Sequence, residues 1–166
     1  MNLIKKINEK KFLLLKKENI YSILLITLIF TSDRLSKAEI INDINSKSIY
    51  VNKFINFDLV WNTGVGFGLF SSESFLIYNL ISILIGIVIL TLFGVCLMSK
   101  SFDKFIFSVI IGGAIGNFYD RLFYNAVPDF IDIHYNNFHW FTFNVADIFI
   151  TLGIITFVFK GFFEKK

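Results

Sequence analysis

The sequence predicts an all-α integral membrane protein. Four transmembrane helices and a small extracytoplasmic β subdomain are expected in one domain over residues 1–166. Three observations lead there. The chain is 55% hydrophobic and 17% charged, with a mean hydropathy of +0.65, more apolar surface than a soluble domain could cover with so few charges. The apolar residues fall into four stretches, and the lysines gather at one side of them. A length of 166 residues suits one domain and is short for two.

Residues 1–18 form a basic segment carrying Lys5, Lys6, Lys10, Lys11, Lys16 and Lys17. The first span starts at Ile20 and runs into Ser32-Asp33-Arg34-Leu35-Ser36-Lys37. Charges rather than a small-residue cleavage site follow it, so it is expected to be a retained anchor. A β region is expected over about residues 42–70. Within it, apolar residues alternate at period two from Ile55 to Trp61, which reads as a strand lying against the membrane surface. The following Asn62-Thr63-Gly64-Val65-Gly66-Phe67-Gly68 leads into a span on the outer side, so its glycines read as a flexible turn and not a phosphate loop.

The second span, Phe75 to Ser99, carries no charge and is long enough to cross with some tilt. Ser71 and Ser72 are candidate N-caps, with Glu73 in the first turn. Cys96 lies within this span as a small buried hydrophobe, and a single cysteine excludes an internal disulfide. The third span is expected from about Phe105 to Phe118, where Gly112-x-x-x-Gly116 lets another helix approach closely. A last outer loop then leads to the fourth span, from Asn144 to about Phe159. Lys100, Lys104, Lys160, Lys165 and Lys166 share a side with the N-terminal lysines, leaving Lys47 and Lys53 opposite. The positive-inside rule makes both termini cytoplasmic.

The acids converge in depth. At 1.5 Å per residue, Asp33 lies about 20 Å beyond Ile20, Asp120 about 22 Å beyond Phe105, and Asp147 about 18 Å from Phe159. All three reach the outer part of a core about 30 Å thick. Asn117 and Asn144 share that depth, and Arg121, Asp129 and Asp132 follow in the last outer loop. An ionised side chain at the bilayer centre costs about 2.5–3.5 kcal/mol, less near the interface, so such residues pair, line a cavity or do chemistry. Structural roles compete at several positions. Asp33 and Lys37 have the i, i+4 spacing of an ion pair, and Asn144 and Asp147 that of a capping box. His134 and His139 have no evident third ligand in the sequence, so no metal site is expected. Metalloprotease and serine-hydrolase motifs are missing. Two close aspartates share a proton, and one then acts as base while the other acts as acid, as in an aspartyl peptidase. The same residues would also serve a proton or cation pathway. Composition and spacing leave both open.

Five motifs, in order along the chain, resemble those of lipoprotein signal peptidase (signal peptidase II). Asp33 to Lys37 is similar to the family's D-x-x-x-K, and Asn62 to Gly68 to its N-x-G-x-x-F-G. Gly112 to Arg121 is similar to G-G-x-x-G-N-x-x-D-R, Val127 to Asp132 to V-x-D-F-I-D, and Phe143 to Asp147 to F-N-x-A-D. Pro128 departs from the usual valine and stiffens the chain entering the site. The resemblance implies a catalytic pair of Asp129 and Asp147. It implies that Asn62, Gly64, Asn117, Asp120, Arg121 and Asn144 support the site and the bound peptide, and that Asp33 and Lys37 hold the first span. The implied substrate is a prolipoprotein cut before a diacylglyceryl-modified cysteine, at the outer face of a bacterial plasma membrane. Membrane lipids are the other expected partner. A monomer is expected, with no cofactor and no nucleic acid. A proton-coupled transporter or a membrane assembly factor is the other reading, but a transporter calls for midplane acids and repeated halves. Between the two candidates to partner Asp147, Asp129 is expected to reach back from its loop, leaving Asp120 held by Arg121 or by backbone donors.

Overall fold

The computed structural model describes residues 16–43, 48–64 and 75–163. In chain order these form α1 (Lys17–Asp43), β1 (Ile49–Asn52), β2 (Ile55–Asn62), α2 (Phe75–Met98), α3 (Ser101–Tyr124), β3 (Val127–Tyr135), β4 (Phe138–Phe143) and α4 (Val145–Phe163). The expected caps Ser71, Ser72 and Glu73, the glycines Gly66 and Gly68, and Lys5, Lys6, Lys10, Lys11, Lys47, Lys165 and Lys166 lie outside the described residues.

Two helices are apolar and long enough to cross a bilayer by composition alone: α2, with mean hydropathy 2.9 over Leu76–Met98, and α4, with 1.9. Among the described residues the expected count of four is met by this criterion in those two, because α1 and α3 carry charges within their length. Five of those charges point inward. Asp33, Lys37, Lys104, Asp120 and Arg121 are buried, whereas Leu24, Leu28, Leu80, Leu84, Leu152 and Phe159 are exposed. A polar interior under an apolar surface is the reverse of a water-soluble domain and suits lipid as solvent. Both charged helices also run beyond their apolar stretches, α1 through its Asp-Arg-Lys cluster to Asp43 and α3 from Ser101 to Tyr124.

α3 lies at the centre, packed against α1, α2 and α4. Its glycines allow this. A Cβ on Gly113 would stand 2.5 Å from the Ala146 carbonyl oxygen of α4, and one on Gly116 would stand 2.5 Å from Asp33 Oδ2 of α1. The approach that the Gly112-x-x-x-Gly116 spacing predicts is therefore that of α1, with a Cβ on Gly112 2.8 Å from Ile29 Cβ, and Gly113 beside it admits α4. Cys96 is buried beside Ile26 and Ile111, as its apolar surroundings suggest.

The four strands form one antiparallel sheet in the order β1-β2-β3-β4. The β1–β2 turn is held by Asn52 Oδ1, which accepts hydrogen bonds from the Phe54 and Ile55 amides at 2.8 and 3.1 Å. The strand expected at Ile55–Trp61 is β2. The expectation of an outer loop over Val127–Phe143 is corrected: this segment forms β3 and β4, half of the sheet. Residues of both parities are buried in the first half of β3, so no period-two pattern marks it. Pro128 is the second residue of this central strand, opposite Trp61, and has no amide to donate to the ladder. Ile40 of α1 and Phe130 of β3 share a buried cluster that fixes the sheet to the helices.

Candidate active site

α3 ends at Asn125, whose left-handed backbone (φ 53°) turns the chain; asparagine tolerates this conformation better than most residues. β3 starts immediately afterwards and carries Asp129. The antiparallel register sets Asp129 opposite Val60, and Val127 opposite Asn62. Asp147 lies in the first turn of α4. Strand and helix thus deliver a buried carboxyl, Asp129, and a half-buried one, Asp147, to one place.

Asn144 joins them. Its Nδ2 donates to Asp129 Oδ1 at 2.6 Å, and its backbone amide donates to Asp147 Oδ2 at 3.2 Å. The Asp147 amide returns a hydrogen bond to Asn144 Oδ1 at 3.0 Å. The capping box is therefore formed, and the residues that cap α4 are the same ones that hold the two acids together. Each acid has a second amide of its own. Asn62 Nδ2 donates to Asp129 Oδ2 at 2.8 Å, and Asn117 Nδ2 donates to Asp147 Oδ1 at 2.7 Å. Burial, with the nearby Asp147 charge second, raises the Asp129 pKa from 3.8 to about 6, against the opposing pull of the Asn62 and Asn144 hydrogen bonds.

Asn62 and Arg121 also fix the chain after β2. Asn62 Oδ1 accepts from the Gly64 amide at 2.8 Å, and Arg121 Nη2 donates to the Gly64 carbonyl at 2.7 Å. Arg121 donates to the Asn117 carbonyl as well, at 3.2 Å. The expectation that Arg121 or backbone donors hold Asp120 is corrected. Lys37 Nζ lies 2.7 Å from Asp120 Oδ2, and Arg34 Nη1 lies 2.6 Å from Asp120 Oδ1. Neighbours on a helix point about 100° apart, so Asp120 and Arg121 face different sides of α3.

Lys37 is the hub of a buried network. It donates to Asp33 Oδ2 at 2.9 Å, Asn117 Oδ1 at 2.9 Å and Asp120 Oδ2 at 2.7 Å. Asp33 Oδ1 accepts from the Ala146 amide of α4 at 3.0 Å. Through Asn117 the network touches Asp147 itself. Sequence reasoning missed Arg34, which also lies 4.9 Å from the Tyr119 ring centre. The signal was present, a second cation in a helix that brings Asp33 to the acidic layer.

Beside Asp147 an apolar groove of about 260 Å³ opens between Ile133, Phe141, Phe143, Ile148 and Leu152. His134 and His139 stand next to Asp132 on β3 and β4. Helices with an apolar exterior, a capping sheet and a carboxyl pair joined by one asparagine define a membrane protein with a polar centre.

Comparison with known proteins narrows that class. The family model for signal peptidase (SPase) II matches residues 25–163. The lipoprotein signal peptidase of Pelagibacter ubique (strain HTCC1062) is 44% identical over 97% of this chain and 95% of its own length. That of Anaplasma marginale (strain Florida) is 41% identical over 86% and 84%. A solved bacterial membrane enzyme, at 2.3 Å resolution, superposes with a TM-score of 0.73 at 27% identity, covering 88% of this chain and 90% of that one. The chain belongs to the signal peptidase II family. Its general function is that of a lipoprotein signal peptidase, and it is a membrane protease.

Proposed function

We propose that the chain is an intramembrane aspartyl endopeptidase that removes the signal peptide from diacylglyceryl-modified prolipoproteins, cutting before the lipidated cysteine. Asp129 and Asp147 are the catalytic pair. The observation that carries this reading is the single asparagine, Asn144, bonded to both acids. Asp129, with its pKa raised to about 6, starts as the proton holder, and Asp147 starts as the base. Asp147 takes a proton from water as the water oxygen attacks the scissile carbonyl. Asp129 gives its proton to the amide nitrogen, the C–N bond breaks, and the cysteine leaves as a free amine. Neither a metal nor a cofactor takes part in these steps.

Asn62, Gly64, Asn117, Arg121 and Asn144 orient the pair and the peptide. Asp33, Lys37 and Asp120 fasten α1 to α3 and α4. The apolar groove beside Asp147 suits an apolar part of the substrate. All four helices cross the bilayer, both termini are cytoplasmic, and the site lies near the outer face, within reach of a lipid-anchored cysteine. The chain acts as a monomer among membrane lipids.

The test is direct. Purified protein, with no ion gradient, is given a precursor peptide with or without the diacylglyceryl group, and products are identified by mass spectrometry. A fragment beginning at the cysteine, formed from the lipidated peptide alone, is expected. Equal cutting of both peptides would refute the lipid requirement, and cutting of neither would refute the activity.

A further inference from the structure

Two histidines and an aspartate on the sheet take no part in the peptidase reading. On β3, Asp132 and His134 are two residues apart and so project from the same face. The β3–β4 register sets His139 opposite His134, with an irregularity between Ile133 and His134. Ile133 faces Phe141 while His134 faces His139, so Trp140 is the extra residue of a bulge. The two imidazoles stack with ring centres 5.4 Å apart. Asp132 is three residues from Asp129, and odd spacing directs it to the other face of the strand.

The distances bring three donor atoms to one point. Asp132 Oδ2 lies 2.7 Å from His139 Nδ1 and 3.4 Å from His134 Nδ1, and one ligand atom from each residue falls within 4.8 Å of the others. Tetrahedral zinc, with bonds of about 2.0–2.2 Å to nitrogen and oxygen, separates its ligands by about 3.3 Å. The Asp132–His134 separation of 3.4 Å already meets that spacing, and the Asp132–His139 separation of 2.7 Å would lengthen, on the side of the exposed His139. A hydrogen-bonded Asp132–His139 pair would explain two of the three groups. It does not explain His134, which is 6% exposed and whose buried Nδ1 lies 3.4 Å from Asp132 Oδ2 without a well-aimed hydrogen bond. A buried imidazole nitrogen left with one long, poorly aimed contact is costly. A cation would satisfy it. Two imidazoles and one carboxylate form a donor set that suits zinc and its neighbours better than magnesium or calcium, which take oxygen ligands.

We propose that Asp132, His134 and His139 form a binding site for one divalent transition-metal ion of the zinc type, clamping the β3–β4 hairpin on the face away from Asp129. The sequence lacked an evident third ligand for the histidines, and the strand pairing supplies it in Asp132. Three protein ligands leave a fourth position for water. The clamp also steadies the strand that carries Asp129 and the strand that leads into Asn144.

The full chain, purified without a histidine tag and stripped with chelator, is titrated with zinc chloride by calorimetry and with cobalt(II) by visible absorption. One zinc per chain with micromolar or tighter affinity is expected, together with the intense visible bands of four-coordinate cobalt(II). His139→Ala, at a side chain 58% exposed, and Asp132→Asn should each weaken binding by about tenfold or more, with helicity by circular dichroism unchanged. Absence of zinc binding at millimolar concentration would overturn the site. So would a His139→Ala protein that binds as tightly as the parent, or loss of binding in Asp129→Asn, which would move the ion to the peptidase pair.

Discussion

Asn144 brings a buried acid and a half-buried one onto one side chain and one backbone amide, and in the proposed reaction the protonation of those acids sets when the site can work. For Asp129 the direction is upward, to about 6. A raised carboxyl pKa favours the neutral form in the folded protein. Its stabilising contribution is therefore full below the unfolded value near 3.8 and is lost as pH rises through about 6. Activity follows the same proton. kcat/KM, which reports ionisations of the free enzyme, is expected to fall as pH rises through about 6. A profile that stays flat across that pH would contradict Asp129 as the initial acid. Some residue placements are legible in the sequence alone. Helical rise gives Asp33, Asn117, Asp120 and Asp147 a common depth, and they do meet. The partner of Asp120 is not legible there, because adjacency to Arg121 in sequence is separation around the helix. Only the crossing of α1 and α3 shows that Lys37 and Arg34 reach it.

At the scale of elements, glycine and charge together explain how three helices meet. Gly113 and Gly116 let α4 and α1 close on α3, and Lys37 ties Asp33, Asn117 and Asp120 across that seam. Removing one partner of a buried ion pair costs about 3–5 kcal/mol, and Arg34, which also reaches both acids, offsets part of that loss. Lys37→Ala should therefore lower the amount of folded protein recovered from membranes while leaving the cleavage rate per folded molecule close to normal. A Lys37→Ala protein that accumulates normally and cuts nothing would sink the structural role. The helices are readable from their apolar stretches, and β2 from its alternation. β3 is not, since burial on both faces removes the period, and Val-Pro-Asp at its start resembles turn chemistry. The four strands assemble from segments far apart in the chain, a pairing that local pattern does not carry.

For the whole molecule, orientation decides whether the site faces its substrate. The proposed orientation, with both termini inside, rests on lysine asymmetry. Single cysteines replacing Asn8, Lys47 or Phe163, in a Cys96→Ala background, should react with an impermeant thiol reagent on intact cells only at position 47. Labelling at 8 or 163 without 47 would invert the molecule. The central claim is narrower: Asp129 and Asp147 are the acids that cut, and Asp120 is not. The most direct measurement compares Asp129→Asn, Asp147→Asn and Asp120→Asn as purified, membrane-extracted proteins on the lipidated precursor peptide. Each folded fraction is counted, so that rates are per folded molecule. Loss of cleavage by about 10⁴-fold or more, a scale typical of removing a catalytic triad member, is expected for Asp129→Asn and for Asp147→Asn. Folded Asp120→Asn should retain measurable turnover. Near-full activity in Asp129→Asn, or a folded Asp120→Asn protein as inactive as Asp147→Asn, would contradict the pair.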